Sequence, residues 1–194
     1  MAYIDKIKER ARQDKKTIVL PETTDKRTLI AASHIIEEDI ADVIMVGNEE
    51  KIMDGAGWLE VDLTGCQVVD PKATDKLDHY VELLYETRKA KGMTMEKARE
   101  ILLNDPLTFG VMMVKANDAD GMVAGACHAT ADVLRPSLQI LKTAPGVKLV
   151  SGFFIIDVPD CEYGHNGTFL FADCGLNQDP TAEELAAIAD TSAK

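Results

Sequence analysis

The chain of 194 residues is short of basic residues and of long hydrophobic runs, and each shortage excludes a class of protein. Its 21 lysine and arginine residues stand against 33 acidic residues, which gives a net charge of −12. Such an acidic surface opposes binding to DNA or to anionic membranes. No run approaches the roughly 20 apolar residues of a membrane helix, and the charged first residues lack the apolar core of a secretory signal. We therefore predict neither a nucleic-acid partner nor a membrane partner.

Cysteine is also scarce, and its spacing carries no metal pattern. The four cysteines are Cys66, Cys127, Cys161 and Cys174. They are widely separated and form no C-x-x-C pair, so we predict reduced thiols, a cytoplasmic location and no zinc site. The sequence also lacks G-x-G-x-x-G and G-x-x-x-x-G-K-[ST]. These absences exclude a dinucleotide fingerprint and a P-loop.

What the chain does contain is an alternation of short apolar strands with amphipathic helices. Strands are predicted over residues 17–20, 43–46, 67–69 and 122–126. Helices are predicted after Thr24 or Asp25, from Leu77 to Gly92, over 94–103, from Asp105-Pro106 onwards and over 130–143. Continuous apolar strands between helices indicate an α/β fold, a three-layer, largely parallel sheet flanked by helices.

The pattern changes after Pro145-Gly146, which we predict as the boundary between two lobes. Residues 1–145 then form the first lobe, and residues 146–194 begin a second one. Residues 148–156 and 168–171 are strand-like and look antiparallel, and Asp179-Pro180 begins a final helix. Trp58, in an acidic Gly-containing stretch, is interpreted as a partly packed loop residue.

The most informative stretch is Asp118 to Ile156. Its predicted strand ends in a small-residue loop that carries Thr130 and opens into a helix that holds Arg135. Free N–H groups and the dipole at a helix N-terminus favour an anion, and an arginine can clamp a phosphate with two hydrogen bonds. The alternative is that Thr130 or Asp132 only caps the helix and that Arg135 is a surface charge.

Two other residues, His128 and Asp173, are candidates for the same kind of ligand, and two cysteines could in principle be nucleophiles. His128, in the loop, could donate a hydrogen bond, although no carboxylate partner is evident from the sequence. Asp173 follows a strand, where carboxylates often face ligand crevices, and a turn role is as good an interpretation. Cys127 and Cys161 have no identifiable activating group, which favours inert thiols.

Several motifs in order make the chain resemble the phosphate acetyltransferase (phosphotransacetylase) family. The motifs are Leu20-Pro21-Glu22, Tyr85-Glu86-Thr87-Arg88-Lys89, Asp105-Pro106-Leu107, Thr130-Ala131-Asp132-Val133-Leu134-Arg135-Pro136, Lys142-Thr143-Ala144-Pro145-Gly146, Phe171-Ala172-Asp173-Cys174 and Asp179-Pro180-Thr181-Ala182-Glu183. The resemblance covers nearly the whole chain. One departure is Ala129, which stands where the family often has serine.

The resemblance implies an isocitrate/isopropylmalate dehydrogenase-like fold and reversible acetyl transfer between acetyl phosphate and coenzyme A, without a metal. It implies substrate binding by Thr130 and Arg135, with His128 and Asp173 as further candidates. It implies coenzyme A binding by Arg88, with Lys89 beside it. A charged helix end is also commonly just solvated.

Members of this family are longer, and their catalytic groups are expected beyond Lys194. We therefore expect this chain to be an N-terminal part of the enzyme that is inactive alone and self-associates, as a homodimer. Two alternatives stay open: a butyryl phosphate type of acyl transfer, and a non-catalytic acetyl-CoA-sensing module. Turnover assays distinguish an acyl-transferring enzyme from a non-catalytic sensing module.

Overall fold

A computed structural model describes residues 3–194 and divides the chain into two compact units. The larger unit is Glu9–Lys142, and the smaller unit holds residues 3–8 together with Thr143–Lys194. Among the described residues, the α-helices are α1 (Tyr3–Gln13), α2 (Lys26–Glu37), α3 (Glu49–Leu59), α4 (Leu77–Arg88), α5 (Met95–Asn104), α6 (Pro106–Lys115), α7 (Thr130–Ile140) and α8 (Ala182–Ser192). The strands are β1 (Thr17–Leu20), β2 (Asp42–Val46), β3 (Gln67–Val69), β4 (Gly121–Met122), β5 (Phe153–Asp157) and β6 (Thr168–Ala172). No helix within residues 3–194 is both long and apolar enough to cross a bilayer.

The larger unit is built on a parallel sheet with the strand order β3-β2-β1-β4. Successive strand residues enter different cores: Val19 packs with α4, α5 and α6, whereas Leu20 packs with α2 and α3. Side chains alternate between the two faces of a strand, so a strand that is apolar at every position has both faces covered by helices. The predicted α/β fold with a parallel sheet flanked by helices is confirmed.

Helix α6 packs most closely on the sheet, and Gly110 makes this possible. A Cβ atom built at Gly110 would lie 2.8 Å from Met122 Sδ and 3.1 Å from Val19 Cγ1. In the same core, the ring of Phe109 meets Tyr80 edge to face at a centroid distance of 5.2 Å, and both side chains are fully buried. This packing fixes α6 and β4, from which the loop to α7 departs.

Several helix boundaries follow the predicted local chemistry. Asp105 caps α6 through Leu107 N, and Pro106 occupies its first position. Gly92 adopts a left-handed conformation (φ 80°) after the short 3₁₀ helix Lys89–Lys91, as a residue without Cβ does readily. Asp25 caps α2.

Two predictions about this unit are wrong. Trp58 lies in helix α3 rather than in a loop and is 90% exposed. Asn48 caps this helix and Glu49 and Glu50 occupy its first turn, so the N-terminal signals outweigh its glycines. The strand predicted over 122–126 ends at Met122. Backbone amides that follow it donate to the side chain of Glu22 instead of to a neighbouring strand.

The smaller unit contains an antiparallel hairpin and helix α8. Strands β5 and β6 pair from Phe153↔Ala172 to Asp157↔Thr168. Thr181 and Glu184 form a capping box at the start of α8. Apolar side chains of the hairpin, among them Phe153, Phe154 and Phe171, are about half exposed. The hairpin therefore presents an apolar surface to solvent.

Candidate functional site

The candidate site lies at the carboxyl end of the parallel sheet. Strand β1 pairs with β2 on one side and with β4 on the other. The chain that follows β1 therefore runs towards one edge of the sheet, to β2 and β3, and the chain that follows β3 returns to the other edge, to β4. Ligands of open α/β sheets bind at such switch points. Here the segment after β1, Pro21 and Glu22, meets residues 123–129, the loop from β4 to α7. We call residues 123–129 the switch loop.

The carboxylate of Glu22 holds the switch loop in place. Its Oε2 atom accepts hydrogen bonds from Gly125 N (2.8 Å) and Ala126 N (2.7 Å). Its Oε1 atom accepts from Cys127 N (3.0 Å), His128 N (3.1 Å) and His128 Nδ1 (2.6 Å). Glu22 is 4% exposed, so these donors compensate the desolvation of a buried charge.

This arrangement explains why β4 is short. Val123 N still bonds Val19 O, but the next amides turn towards Glu22 instead of continuing a ladder. Arg27, paired with Asp25, donates to the carbonyl of Ala126 and fastens the loop from the other side. The amides of residues 125–128 are consequently engaged within the protein and do not face an external anion.

The hydrogen bonds also control the ionisation of Glu22. Burial by itself would raise the pKa of its carboxyl group. The donation from His128, followed by those from Cys127, Ala126 and Gly125, outweighs burial and lowers the pKa to about 2. Glu22 is therefore an anion throughout the physiological pH range.

The free N–H groups of the site are those at the start of α7. Its N-cap is Ala129, which makes no side-chain cap, so neither Thr130 nor Asp132 has the capping role considered as an alternative. Within the described chain, the amides of Thr130 and Ala131 have no hydrogen-bond partner, whereas Asp132 N bonds Ala129 O. Two unpaired amides at an open helix N-terminus suit a small anion.

Arg135 is exposed, and its guanidinium makes no ion pair or hydrogen bond to another described residue. It lies one turn after Ala131, on the same face of α7, and helical side chains lean towards the helix N-terminus. Four residues correspond to about 6 Å of helix, a distance that an arginine side chain spans. Thr130, with an exposed hydroxyl, and Arg135 can thus act on one anion.

We expect Ala129→Ser to stabilise the protein. Ala129 has φ −69° and ψ 153°, the extended conformation from which serine caps a helix. The added hydroxyl would accept a hydrogen bond from the first turn and raise the free energy of unfolding by about 1 kcal/mol. Urea denaturation followed by circular dichroism measures this. Ala129→Val, which adds volume without a hydroxyl, is the control, and an equal gain in both variants would contradict the capping argument.

Glu22, Cys127 and His128 also bring three metal-ligating atom types within 4.8 Å of one another. The carboxylate already accepts five N–H groups, so coordination of an ion would cost several of these bonds. Desolvation and the neighbouring Glu22 carboxylate raise the pKa of the Cys127 thiol, which disfavours the thiolate ligand. The cluster suits hydrogen bonding better than metal binding.

The two cations proposed for coenzyme A differ in their surroundings. Arg88 is half-buried at the end of α4, and no described residue pairs with its guanidinium. Lys89 is exposed and pairs with Glu86 at 2.5 Å. Arg88 is therefore the better candidate for a ligand phosphate, because its charge is uncompensated.

Asp173 belongs to the smaller unit, where its carboxylate is used by its own turn. Leu176 N, Gly175 N and Asn177 N donate to it, and so does the Asn177 side chain. The donation from Leu176 is the largest cause of the lowered pKa of Asp173. These contacts correspond to the turn role that the sequence left open for this residue.

A cavity of about 720 Å³ opens beside Glu22 and His128 at the carboxyl ends of β1 and β2. Helices α2 and α3 supply its walls, mostly apolar, together with the ammonium groups of Lys26 and Lys51. Sequence reasoning missed this cavity and the role of Glu22. The available signal was the position of Glu22 directly after a strand, next to the predicted strand end that precedes His128.

The chain is similar to known proteins over nearly its whole length. The family model described as phosphate acetyl/butaryl transferase matches residues 2–194. The chain is 56% identical over 194 residues to a phosphate acetyltransferase of Acetivibrio thermocellus and 51% identical over 194 residues to one of Clostridium acetobutylicum. Each alignment covers 100% of this chain and 58% of the relative. The chain thus spans a little over half the length of these curated relatives.

Two solved structures have the same fold. A phosphotransacetylase from Streptococcus pyogenes superposes with a TM-score of 0.86 at 37% identity, covering 96% of this chain and 55% of the other. The EutD phosphotransacetylase from Staphylococcus aureus gives a TM-score of 0.85 at 35% identity, covering 96% and 54%.

Proposed function

Because the chain belongs to the phosphate acetyl/butaryl transferase family, we propose that it supplies the phosphate-binding part of a phosphate acetyltransferase. The reaction transfers an acetyl group between acetyl phosphate and coenzyme A. The observation that carries this proposal is the uncapped N-terminus of α7, where the amides of Thr130 and Ala131 have no partner among the described residues. Arg135, one helical turn after Ala131, is likewise unpaired within residues 3–194.

The chemistry of the reaction explains what such a site contributes. The coenzyme A thiolate attacks the acetyl carbonyl, and the bond from the acetyl carbon to the phosphate oxygen breaks. The departing oxygen takes up the proton that the thiol lost, so phosphate leaves as the dianion HPO4²⁻. Amides and a guanidinium that already point at the departing phosphate lower the barrier without reorganisation. Thr130 and Arg135 hold the phosphate in this proposal, and the groups that deprotonate the thiol come from outside residues 1–194.

The finer features of the enzyme belong to the same proposal. We assign it the two-lobed, isocitrate/isopropylmalate dehydrogenase-like arrangement, with residues 1–145 in the first lobe. The exposed apolar side chains of the β5–β6 hairpin support self-association as a homodimer. All four cysteines are free, which supports a cytoplasmic location. Asp173 stays a candidate ligand residue of the smaller unit.

The test is turnover by the full product of the gene, with acetyl phosphate and coenzyme A, followed by thioester absorbance. Butyryl phosphate is assayed in parallel, because the family description includes both acyl groups. Faster turnover of butyryl phosphate than of acetyl phosphate would make butyryl phosphate the assigned substrate. Binding of acetyl-CoA without turnover would favour a sensing module and overturn the enzymatic proposal.

We expect Arg88→Ala to weaken coenzyme A binding more than acetyl phosphate use. A lost charge-assisted hydrogen bond contributes about 1.5–3 kcal/mol, so KM for coenzyme A should rise roughly ten- to a hundred-fold. Kinetics with both substrates varied measure this. Arg10→Ala, which removes an exposed arginine from α1, is the control and should leave the KM for coenzyme A unchanged.

Dephospho-coenzyme A identifies the phosphate that Arg88 contacts. If the contact is the 3′-phosphate, the loss caused by Arg88→Ala should shrink with this analogue, because the partner is already absent. Equal losses with both cofactors would point to another phosphate, and no loss with either would leave Arg88 a helix-end charge.

A further inference from the structure

Glu22 has more hydrogen-bond donors than a loop anchor needs. It is the one charged residue that is buried among residues 3–194. Four backbone amides and the Cys127 thiol already donate to its two oxygen atoms, yet His128 Nδ1 adds a further hydrogen bond, the shortest of the set at 2.6 Å. A side chain that orients an imidazole in this way fixes which of its nitrogens carries the proton.

The direction of this hydrogen bond follows from the charge of Glu22. An ionised carboxylate only accepts hydrogen bonds, so Nδ1 of His128 must carry the hydrogen. In the neutral ring, Nε2 then has a lone pair and accepts. Among the residues that the structure describes, none bonds Nε2, and the side chain of His128 is 38% exposed at the cavity beside the sheet.

His128 is close along the chain to the anion site of the proposed function. His128 precedes Thr130, the first residue of α7, by two positions, and Ala129 contributes no polar side chain between them. An anion at the amides of Thr130 and Ala131 would therefore meet donors from α7 and an acceptor from His128. Inorganic phosphate near neutral pH carries one or two hydrogens on its oxygens, whereas sulfate carries none.

We infer that Glu22 is a positioning residue that holds His128 as the Nδ1–H tautomer, so that Nε2 accepts a hydrogen bond from monohydrogen phosphate. This inference rests on the proposed phosphate site and adds a specificity to it. A fixed acceptor attracts the O–H of phosphate and repels the lone pairs of sulfate. The site should prefer phosphate over sulfate about tenfold, the effect of one hydrogen bond.

Titratable and charged groups on the neighbouring elements enter the interpretation of any pH series. They are Glu22 after β1, Cys127 in the switch loop, Asp25, Lys26 and Arg27 at the start of α2, and Lys51 on α3. The comparison of anions is therefore made at one pH, chosen where the ¹⁵N spectrum reports a neutral His128 ring.

The first experiment reads the tautomer of His128 directly in the 194-residue chain. Long-range ¹H–¹⁵N spectra distinguish Nδ1–H from Nε2–H, and His128→Asn identifies the signals. We expect the Nδ1–H form in the wild type and its loss in Glu22→Gln, because the amide of glutamine can donate to Nδ1. Glu22→Asp keeps a carboxylate and should restore the Nδ1–H form, whereas the exposed Glu37→Gln should change nothing. An Nε2–H tautomer in the wild type would overturn the inference.

The second experiment measures anion preference in the same samples. Phosphate and sulfate are titrated against the amide signals of Thr130 and Ala131. The tenfold preference for phosphate should disappear in Glu22→Gln and persist in Glu37→Gln. Equal affinities in the wild type would overturn the specificity. Absence of binding by either anion would count against the proposed phosphate site, while the tautomer would still decide whether Glu22 positions His128.

Backbone amide spectra of residues 125–128 show whether each variant keeps the switch loop. If Glu22→Gln loses these signals, the tautomer and the phosphate preference are judged from Glu22→Asp and His128→Gln instead, because both variants keep a carboxylate at position 22. His128→Gln, with an amide that can turn its N–H outwards, should lower the phosphate preference with the loop intact. An unchanged preference in His128→Gln would overturn the role of Nε2.

Discussion

Replacing Arg135 by alanine should reduce kcat/KM for acetyl phosphate roughly ten- to a hundred-fold. Arg135 is exposed and has no partner among the described residues, so its removal leaves no buried charge behind and measures the ligand contact alone. A hydrogen bond between a guanidinium and a phosphate contributes about 1.5–3 kcal/mol, which corresponds to this range. The loss should appear in kcat as well as KM if the contact strengthens while the phosphate departs.

Two variants separate this effect from a change in overall charge. Arg10→Ala removes an exposed arginine from α1 and should leave the kinetics unchanged. Arg135→Lys keeps the charge but not the two parallel donors, so it should recover only part of the activity. Steady-state kinetics of the full gene product measure all three variants. Wild-type kinetics in Arg135→Ala would make Arg135 a surface charge and remove the main support for the phosphate site.

The second large effect is on stability at low pH and comes from Glu22. Its folded pKa of about 2 lies below the ordinary value of 4.5, so the folded state binds the proton less readily than the unfolded state. The corresponding stabilisation is present above pH 4.5 and is lost as the pH falls towards 2. A difference of this size corresponds to about 3 kcal/mol, of which about 2 kcal/mol should be lost by pH 3.

Glu22→Gln isolates this contribution. Asp25, Asp118 and Asp173 also have lowered pKa values, but they are the same in both proteins, so the difference between the two curves removes them. Urea denaturation at pH 6 and at pH 3 should give a free-energy gap between wild type and variant that narrows by about 2 kcal/mol. A gap that is independent of pH would mean that the Glu22 carboxyl titrates normally.

Local chemistry made much of the larger unit predictable from the sequence. Asp105-Pro106 begins α6 and Gly92 ends the 3₁₀ helix after α4, both where expected. Helix capping and a left-handed turn depend on adjacent residues, which the sequence shows directly. The apolar strands over residues 17–20 and 43–46 were placed to within one residue, since residues buried on both faces leave an unbroken hydrophobic run.

The parts that were not predicted depend on contacts between distant residues. His128 and Glu22 are 106 positions apart, and no periodicity links them. The same contact ended β4 at Met122, against a local sequence that favours a longer strand. The open N-terminus of α7 was uncertain for a related reason: Thr130 has the chemistry of a cap, and only the backbone shows that Ala129 occupies that position.

The exposure of Trp58 determines how these experiments can be read. It is the one tryptophan of the chain, and on α3 it is already 90% in water. Its indole fluorescence should therefore resemble that of the unfolded chain and change little on denaturation. Because the emission of Trp58 should change little, it would not mask the signal of a fluorophore placed on the cavity-lining face of α3 to report ligand binding.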